Sequence, residues 1–233
     1  AIDIKSDTTW ATSFQDRQVN ILNGATLTVS VPMALDTVMM EEDAQVVFTA
    51  TEGKLTARSL RFAPLLSATG WKAFGMPFTS AVIKNSTEEE ISAPSVQNVD
   101  NGIWFARLKD NKTPEFVVDE SAFGMAGLWA ANGDTYTISS EGAFEFKTLE
   151  EPAAPTETGT FLMCSNPNTF TITLKQSAYI LTTDGTSFEQ EANPEIKPFQ
   201  SFVLTDAKTL STLRSLRIGD GVVTGNQTIE PVD

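Results

Sequence analysis

The sequence predicts an all-β fold, in which an antiparallel β-sandwich of jelly-roll type follows a smaller, solenoid-like N-terminal region. Short runs of alternating apolar and polar residues recur along the 233-residue chain. Tight-turn pairs such as Asn23-Gly24 and Asp184-Gly185 separate these runs, and helical periodicity is weak throughout. Many short strands joined by tight turns are typical of sandwiches and barrels.

The clearest strand signal follows the Asn23-Gly24 turn, where residues 27–31 read Leu-Thr-Val-Ser-Val. Apolar side chains at every second position, in a run that contains several β-branched residues, favour a half-buried strand. The same reasoning predicts further strands at 45–51, 54–62, 116–118, 136–138, 143–147, 169–174, 178–182, 199–205 and 213–218.

An approximate repeat runs through the first 62 residues. Residues 24–29 (Gly-Ala-Thr-Leu-Thr-Val) recur as 43–48 (Asp-Ala-Gln-Val-Val-Phe) and, more loosely, at 53–57 (Gly-Lys-Leu-Thr-Ala). Each copy places a turn residue and a spacer before alternating apolar positions. Stacked copies predict the rungs of a parallel β-solenoid, and ordinary hairpins with similar turns are the alternative.

The chain is divided into a β-rich or solenoid-like region at 1–64, a sandwich domain at 65–221 and a flexible tail at 222–233. Residues 150–158 contain two prolines among polar and acidic neighbours, which indicates a linker or a long surface loop. Helix signals are few. Residues 120–131 combine alanines with two unfavourable glycines, and 206–210 predict a single turn.

Composition excludes several classes of function. The chain has 30 acidic and 16 basic residues, a net charge of −14, no histidine and one cysteine, Cys164. Such an acidic surface repels phosphate backbones, so nucleic acid is not an expected partner. A disulfide framework, histidine-containing zinc sites and Ser-His-Asp or Cys-His catalysis are excluded by the residue counts. No apolar run approaches the roughly 20 residues of a membrane helix, and no cofactor is expected.

Carboxylates are the remaining source of chemistry. Glycoside hydrolysis needs a pair about 5–10 Å apart, and the sequence does not show which acidic residues come together. Acidic turns at 100–102 and 110–111 offer oxygen ligands for calcium, but no calcium-loop pattern is present and solvated turns are favoured. Cys164 is expected to be a buried small hydrophobe, because a thiolate nucleophile would lack a histidine base.

Two of the four tryptophans are candidate ligand contacts. Trp104 follows an Asn-Gly turn, and Trp129 lies in a segment rich in glycine and alanine. Exposed indole rings in such settings could stack on sugar rings, whereas the favoured alternative is that both rings fill the core.

Three segments, in order, resemble a family of secreted surface proteins of Bacteroides and its relatives. Residues 71–78 (Trp-Lys-Ala-Phe-Gly-Met-Pro-Phe) are similar to the family's W-x-x-[FIL]-x-[LM]-P-F strand. Segments 159–188 (Gly-Thr-Phe, then Tyr-Ile-Leu, then Gly-Thr-Ser-Phe) and 196–202 (Ile-Lys-Pro-Phe-Gln-Ser-Phe) resemble its later stretches. Gln200 and Phe202 depart from the family's usual arginine and tyrosine.

The resemblance implies an all-β protein that is secreted or held at the outer cell surface, its signal peptide removed. Members are often described as adhesins and have no established catalytic residues. We therefore expect a non-enzymatic surface or adhesion-type module whose partners are glycans or other surface proteins. A carbohydrate-binding accessory module is the alternative, and a glycoside hydrolase is a more remote one.

Proline and phenylalanine positions in these segments also carry structural predictions. Pro77 and Pro198 must lie at a strand edge, bulge or end, because proline cannot donate to a ladder. Phe74, Phe78, Phe199 and Val203 are predicted to be core residues.

Overall fold

The computed structural model describes residues 1–66, 70–75, 81–91, 103–118, 126–131 and 133–218. Strands account for 48% of these residues and helix for 3%, which confirms the all-β prediction. Pro77, Phe78, the acidic turn at 100–102 and the tail at 222–233 lie outside the described residues.

Residues 2–63 wind as a coil of parallel strands that alternate between two sheets. This solenoid-like arrangement decides between the two alternatives left open by the repeat, because hairpins would pair antiparallel. One sheet contains β1 (Ile2–Ile4), β3 (Gln18–Ile21), β5 (Met33–Glu41) and β7 (Leu55–Ala63); the other contains β2 (Thr8–Trp10), β4 (Thr26–Val29) and β6 (Gln45–Phe48).

The repeat predicts the register of one rung on the next. Leu27 lies opposite Val46 and Val29 opposite Phe48, as the alignment of copies 24–29 and 43–48 requires. The third copy, at 53–57, runs into β7, which pairs in parallel with β5 in the other sheet, so it belongs to the coil but does not stack on the second copy. The first two copies also share a left-handed turn residue, with φ of 76° at Gly24 and 60° at Asp43; aspartate tolerates this conformation better than most residues.

The edge of β6 is covered by a segment from far along the chain. The Val46 amide donates to the Thr169 carbonyl at 2.7 Å, and the Thr169 hydroxyl donates to the Val46 carbonyl at 2.7 Å. The Thr171 amide donates to the Gln45 side chain at 2.8 Å. Because these bonds satisfy an otherwise open parallel edge, the second sheet of the coil ends at β6.

The first sheet of the coil continues with antiparallel strands from beyond residue 64. Ile138 lies opposite both Phe62 and Ile83, so the sheet runs without a break across the predicted boundary between 1–64 and 65–221. The added strands are β9 (Ala81–Lys84), β10 (Glu90–Ile91), β14 (Thr137–Ser140) and β15 (Phe144–Phe146).

The other sheets are antiparallel, and their connection order as a jelly roll stays a prediction. A four-stranded central sheet contains β8 (Lys72–Phe74), β11 (Ile103–Leu108), β12 (Phe116–Val118) and β13 (Gly127–Ala131). A five-stranded sheet contains β16 (Phe161–Ser165), β18 (Ala178–Leu181), β19 (Ser187–Glu191), β21 (Ser201–Thr205) and β22 (Ser215–Arg217), and a small pair is formed by β17 (Ile172–Thr173) and β20 (Glu195–Ile196).

The central sheet is buried on both faces. Along β11, Phe105 packs into the core of the coil, whereas the neighbouring Trp104 and Ala106 pack into a second core shared with the five-stranded sheet. In β13, Trp129 faces the first core and Leu128 the second. This sheet therefore joins two hydrophobic cores.

The weak helix signal at 120–131 is wrong for its described part, which is the strand β13. A Cβ added at Gly127 would lie 2.3 Å from the Phe105 ring, so the glycine permits close strand packing. The single turn predicted at 206–210 is confirmed as α1 (Ala207–Thr212).

Aromatic rings connect the coil to the central sheet and to the segment before β21. Phe62 stacks on Phe74 at a centroid distance of 5.5 Å, and Phe199 meets Phe62 edge-on at 5.0 Å. Trp129 meets Phe74 edge-on at 5.2 Å. The prediction that Phe74, Phe199 and Val203 are core residues is confirmed.

A fully buried asparagine fixes the loop after β16. The Asn166 side-chain amide donates to the carbonyls of Phe170 (2.8 Å), Ile196 (3.0 Å) and Lys197 (3.1 Å). Its oxygen accepts from the backbone and side chain of Asn168, at 2.9 and 3.1 Å. These bonds hold together segments that are about 30 residues apart in the chain.

Replacing Asn166 with alanine should lower the free energy of unfolding by about 3 kcal/mol, because several buried polar groups lose their partners together. Urea unfolding measures the change. The control is Asn20→Ala, which removes one solvent-accessible bond to Asp3 and should cost about 0.5 kcal/mol or less. Equal losses in the two variants would contradict the structural role of Asn166.

Asp206 caps α1 and ties it to the loop before β16. Its Oδ1 accepts from the amides of Lys208 and Thr209, both at 3.0 Å, and its Oδ2 accepts from the Thr209 hydroxyl at 2.6 Å and the Gly159 amide at 2.8 Å. These bonds, with the Thr209 hydroxyl foremost, hold the pKa of Asp206 well below its usual value.

Asp206→Asn should lower the urea midpoint of unfolding at pH 7, because the Nδ2 of an asparagine at this position cannot accept the hydrogen bond from the Gly159 amide. The lowered folded-state pKa stabilises the protein above the unfolded value of about 3.9, and this contribution is lost as the pH falls toward the folded value. The difference in urea midpoint between wild type and the Asp206→Asn variant should therefore become smaller below about pH 4. The control is Asp16→Asn, which changes an exposed ion pair with Arg58. A difference in urea midpoint between wild type and Asp206→Asn that stays the same at every pH would contradict the role given to the ionised Asp206.

Candidate functional site

The two tryptophans that the sequence suggests as sugar contacts are core residues. Trp104 is 7% exposed and Trp129 is fully buried. They lie on opposite faces of the central sheet, and each face is covered by a separate core. Neither ring is therefore the exposed stacking platform that the sequence suggested.

A cavity of about 510 Å³ lies where the coil meets the antiparallel sheets. Five separate stretches of the chain supply its described walls: the β5–β6 turn, the end of β7 with Leu65, the segment 70–74, the β18–β19 turn, and the segment before β21. Its lining residues are Glu42, Asp43, Ala44, Phe62, Leu65, Gly70, Trp71, Lys72, Ala73, Phe74, Leu181, Thr182, Thr183, Asp184, Lys197, Pro198 and Gln200.

Two lysine–carboxylate pairs cross the cavity from the sheets to the coil. Lys72 pairs with Glu42, and both side chains are largely buried. Lys197 Nζ lies 2.7 Å from Asp43 Oδ1, in a more exposed pair. Glu42 Oε2 also accepts from the Leu65 amide at 2.9 Å. The β5–β6 turn is therefore held on the antiparallel sheets by charge as well as by apolar packing.

Trp71 supplies a donor that nothing in the described structure uses. The residue is 6% exposed, lines the cavity, and has an indole Nε1–H with no hydrogen-bond partner. Buried polar groups in folded proteins normally have partners. Trp71 is therefore a residue of the cavity wall whose buried donor is not satisfied by the described part of the protein.

Asp184 is a fixed carboxylate on the same cavity. Its Oδ1 accepts from the Thr182 hydroxyl at 2.6 Å and from the hydroxyl and amide of Thr186 at 2.9 and 3.2 Å. These bonds, led by the Thr182 hydroxyl, hold the pKa of Asp184 below its usual value. Asp184 is therefore an anion and an acceptor at neutral pH, which suits hydrogen bonding to hydroxyl groups.

Gly185 brings the β18–β19 turn against the Trp71 backbone. Its φ is 70°, and a Cβ there would lie 2.6 Å from the Trp71 carbonyl oxygen and 2.8 Å from the Trp71 nitrogen. The Asp184-Gly185 turn, which the sequence identifies as a strand break, is thus also what places Asp184 beside Trp71.

Other candidate groups are accounted for within the fold. Cys164 packs at the edge of a third apolar cluster, and burial raises the pKa of its thiol to about 12. Asp110 accepts from the amides of Lys112 and Thr113, both at 2.7 Å, as in a self-capped turn. The described residues contain no cluster of three or more carboxylate, thiol or imidazole groups that could hold a metal ion.

No protein-family model matches the chain, and comparisons with curated proteins and with solved structures found no match. Among the described residues, no helix combines the length and apolar character needed to cross a membrane.

Gly185→Ala should lower the free energy of unfolding by about 2 kcal/mol more than Gly24→Ala. Both glycines have positive φ, 70° and 76°, but a Cβ at Gly24 would have no atom within 4 Å. Gly24→Ala therefore costs only the backbone strain, about 1 kcal/mol, whereas Gly185→Ala adds an overlap with Trp71. Thermal and urea unfolding measure both variants, and equal losses would contradict the close approach at Trp71.

Proposed function

We propose that the chain is a non-enzymatic, adhesion-type module of the outer surface of a Bacteroides-like bacterium, in which a jelly-roll-like sandwich continues the N-terminal coil. The observation that carries this proposal is the use of charge at the junction cavity. Lys72 and Lys197 are paired with Glu42 and Asp43 across the two parts of the fold. Their charges hold the structure together and are not left for proton transfer.

The carboxylates also support a role without catalysis. A glycosidase needs one carboxyl group whose pKa is raised so that it can donate a proton. Hydrogen bonds lower the pKa of Asp110, Asp134, Asp184 and Asp206. Asp184, the one of these four that lines the cavity, is therefore suited to accepting hydrogen bonds and not to acting as a general acid.

The extracellular location is supported by sequence features. Residues 71–78 and 196–202 resemble strands of secreted Bacteroides surface proteins, and the chain carries a net charge of −14 with a single cysteine. Such a composition suits both the cytosol and the exterior of a bacterium whose secreted proteins do without disulfides, and the resemblance favours the exterior.

A carbohydrate-binding accessory module is the second candidate, and one observation favours it. Trp71, whose buried indole N–H has no partner among the described residues, lines a cavity of ligand size. Trp71 thereby takes the place that the sequence suggested for Trp104 and Trp129.

Beads coated with the protein test the adhesion proposal. They should be retained on immobilised mucin or on its enzymatically deglycosylated form more strongly than albumin-coated beads, because the proposed role is contact with a surface. In parallel, a panel of chromogenic glycosides should show no turnover.

Two results would contradict this function. One is retention no greater than that of albumin-coated beads on both surfaces. The other is glycoside turnover that disappears in Asp184→Asn, since a catalytic carboxylate would then be present.

A further inference from the structure

We infer that the junction cavity, defined by the lining residues given above, binds an uncharged, hydroxyl-rich ligand of one or two sugar rings. The inference deepens the proposed contact role by naming a ligand class and a site. It rests on the proposed function in one respect: the ligand is bound and is not chemically changed.

Size is the first argument. The cavity has a volume of about 510 Å³, within the roughly 300–1,000 Å³ of small-molecule sites. Its walls include apolar side chains that could cover the C–H face of a sugar ring, among them Phe62, Leu181 and Pro198. Polar groups are interspersed with them. This mixture matches a pyranose, which presents an apolar face and a hydroxyl rim.

The polar groups with spare hydrogen-bonding capacity specify the chemistry. The Trp71 indole N–H is a buried donor without an acceptor. The bonds that Asp184 accepts from Thr182 and Thr186 all end on its Oδ1, which leaves Oδ2 to accept from a ligand. Gln200 Oε1 accepts from the Lys197 amide at 2.9 Å, and its Nε2 can donate. Two donors and one acceptor suit a molecule whose hydroxyls act in both ways.

Charge decides between neutral and ionic ligands. Lys72 and Lys197 are each paired with a carboxylate of the coil, so neither offers an unpaired positive charge. Asp184 adds a negative charge with no ion-pair partner in the described structure. An anionic sugar such as a sialic acid would therefore be repelled, and neutral hydroxyls can bond to Asp184 without a charged partner.

The test is a glycan array printed with neutral mono- and disaccharides, sialylated glycans and amino sugars, followed by calorimetric titration of the hits. Wild type should bind one or more neutral sugars. It should not bind a sialylated glycan unless that glycan also has an accessible neutral end. Trp71→Phe keeps an apolar ring but removes the N–H, and it should weaken binding about tenfold or more. Asp184→Asn should also weaken it.

The matched control is Trp104→Phe, the same change at a residue of the same core that does not itself line the cavity. It should leave sugar affinity unchanged, and circular dichroism with thermal unfolding confirms that each variant is folded. If Trp71→Phe does not fold, Asp184→Asn together with protection of the Trp71 indole N–H signal in NMR on adding sugar decides the question.

Three outcomes would overturn the inference: no neutral sugar binds, only amino or sialylated sugars bind, or binding is the same in Trp71→Phe and wild type. These outcomes are separable from failure of the proposed function. If the beads adhere but no sugar on the array binds, the proposed function is supported and the sugar site is contradicted. If a sugar binds at Trp71 and is hydrolysed, the site is supported and the non-enzymatic function is contradicted.

Discussion

The central sheet of this protein must satisfy two hydrophobic cores at once, and the rest of the architecture depends on that constraint. A sheet with one wet face needs apolar residues only at alternate positions, whereas a sheet buried on both faces needs them at consecutive ones. In β11, the adjacent residues Trp104 and Phe105 pack into different cores, and both are buried. The parallel coil and the antiparallel sheets are therefore parts of one packed structure.

Aromatic contacts extend this connection to the cavity. Phe62 lies near the end of the long strand β7 of the coil, and its ring contacts both Phe74 and Phe199. Phe199 has a φ of 61°, a conformation that a buried aromatic residue adopts only when its surroundings hold it there. Its amide donates to Asn166 and its carbonyl accepts from Gly75, which provides that restraint. The part of the cavity wall formed by Phe62 and Phe74 is thus held by contacts within the first core.

Much of the local structure could be predicted because it depends on nearby residues. Alternation at 27–31 and turns at Asn23-Gly24 and Asp184-Gly185 locate strands, and the alignment of residues 24–29 with 43–48 specifies the register of β4 on β6. The burial of Trp104 and Trp129 could not be derived in this way, because it depends on sheets formed by distant segments. Local composition also misled at β13, where Gly127 serves packing against Phe105 and not a helix or loop.

The cavity is harder still to predict, because its walls come from five stretches that no sequence period relates. Trp71 and Asp184 each carry a local signal, the first in a segment resembling a known strand and the second in a tight turn. Their proximity arises only from the contact between Gly185 and the Trp71 backbone. Sequence reasoning can identify both residues, whereas their shared role needs the tertiary structure.

The hydrogen bonds between Thr169 and Val46 cover one end of the coil, so its length is expected to change during evolution at the other end. A duplicated turn inserted between β2 and β4 would lengthen both parallel sheets and leave the β6 edge in place. The same insertion after β6 would place a new strand where Thr169 now lies, and it would separate Asp43 from Lys197. Natural variation in the number of coils is therefore expected on the side of β1 and β2, away from the cavity.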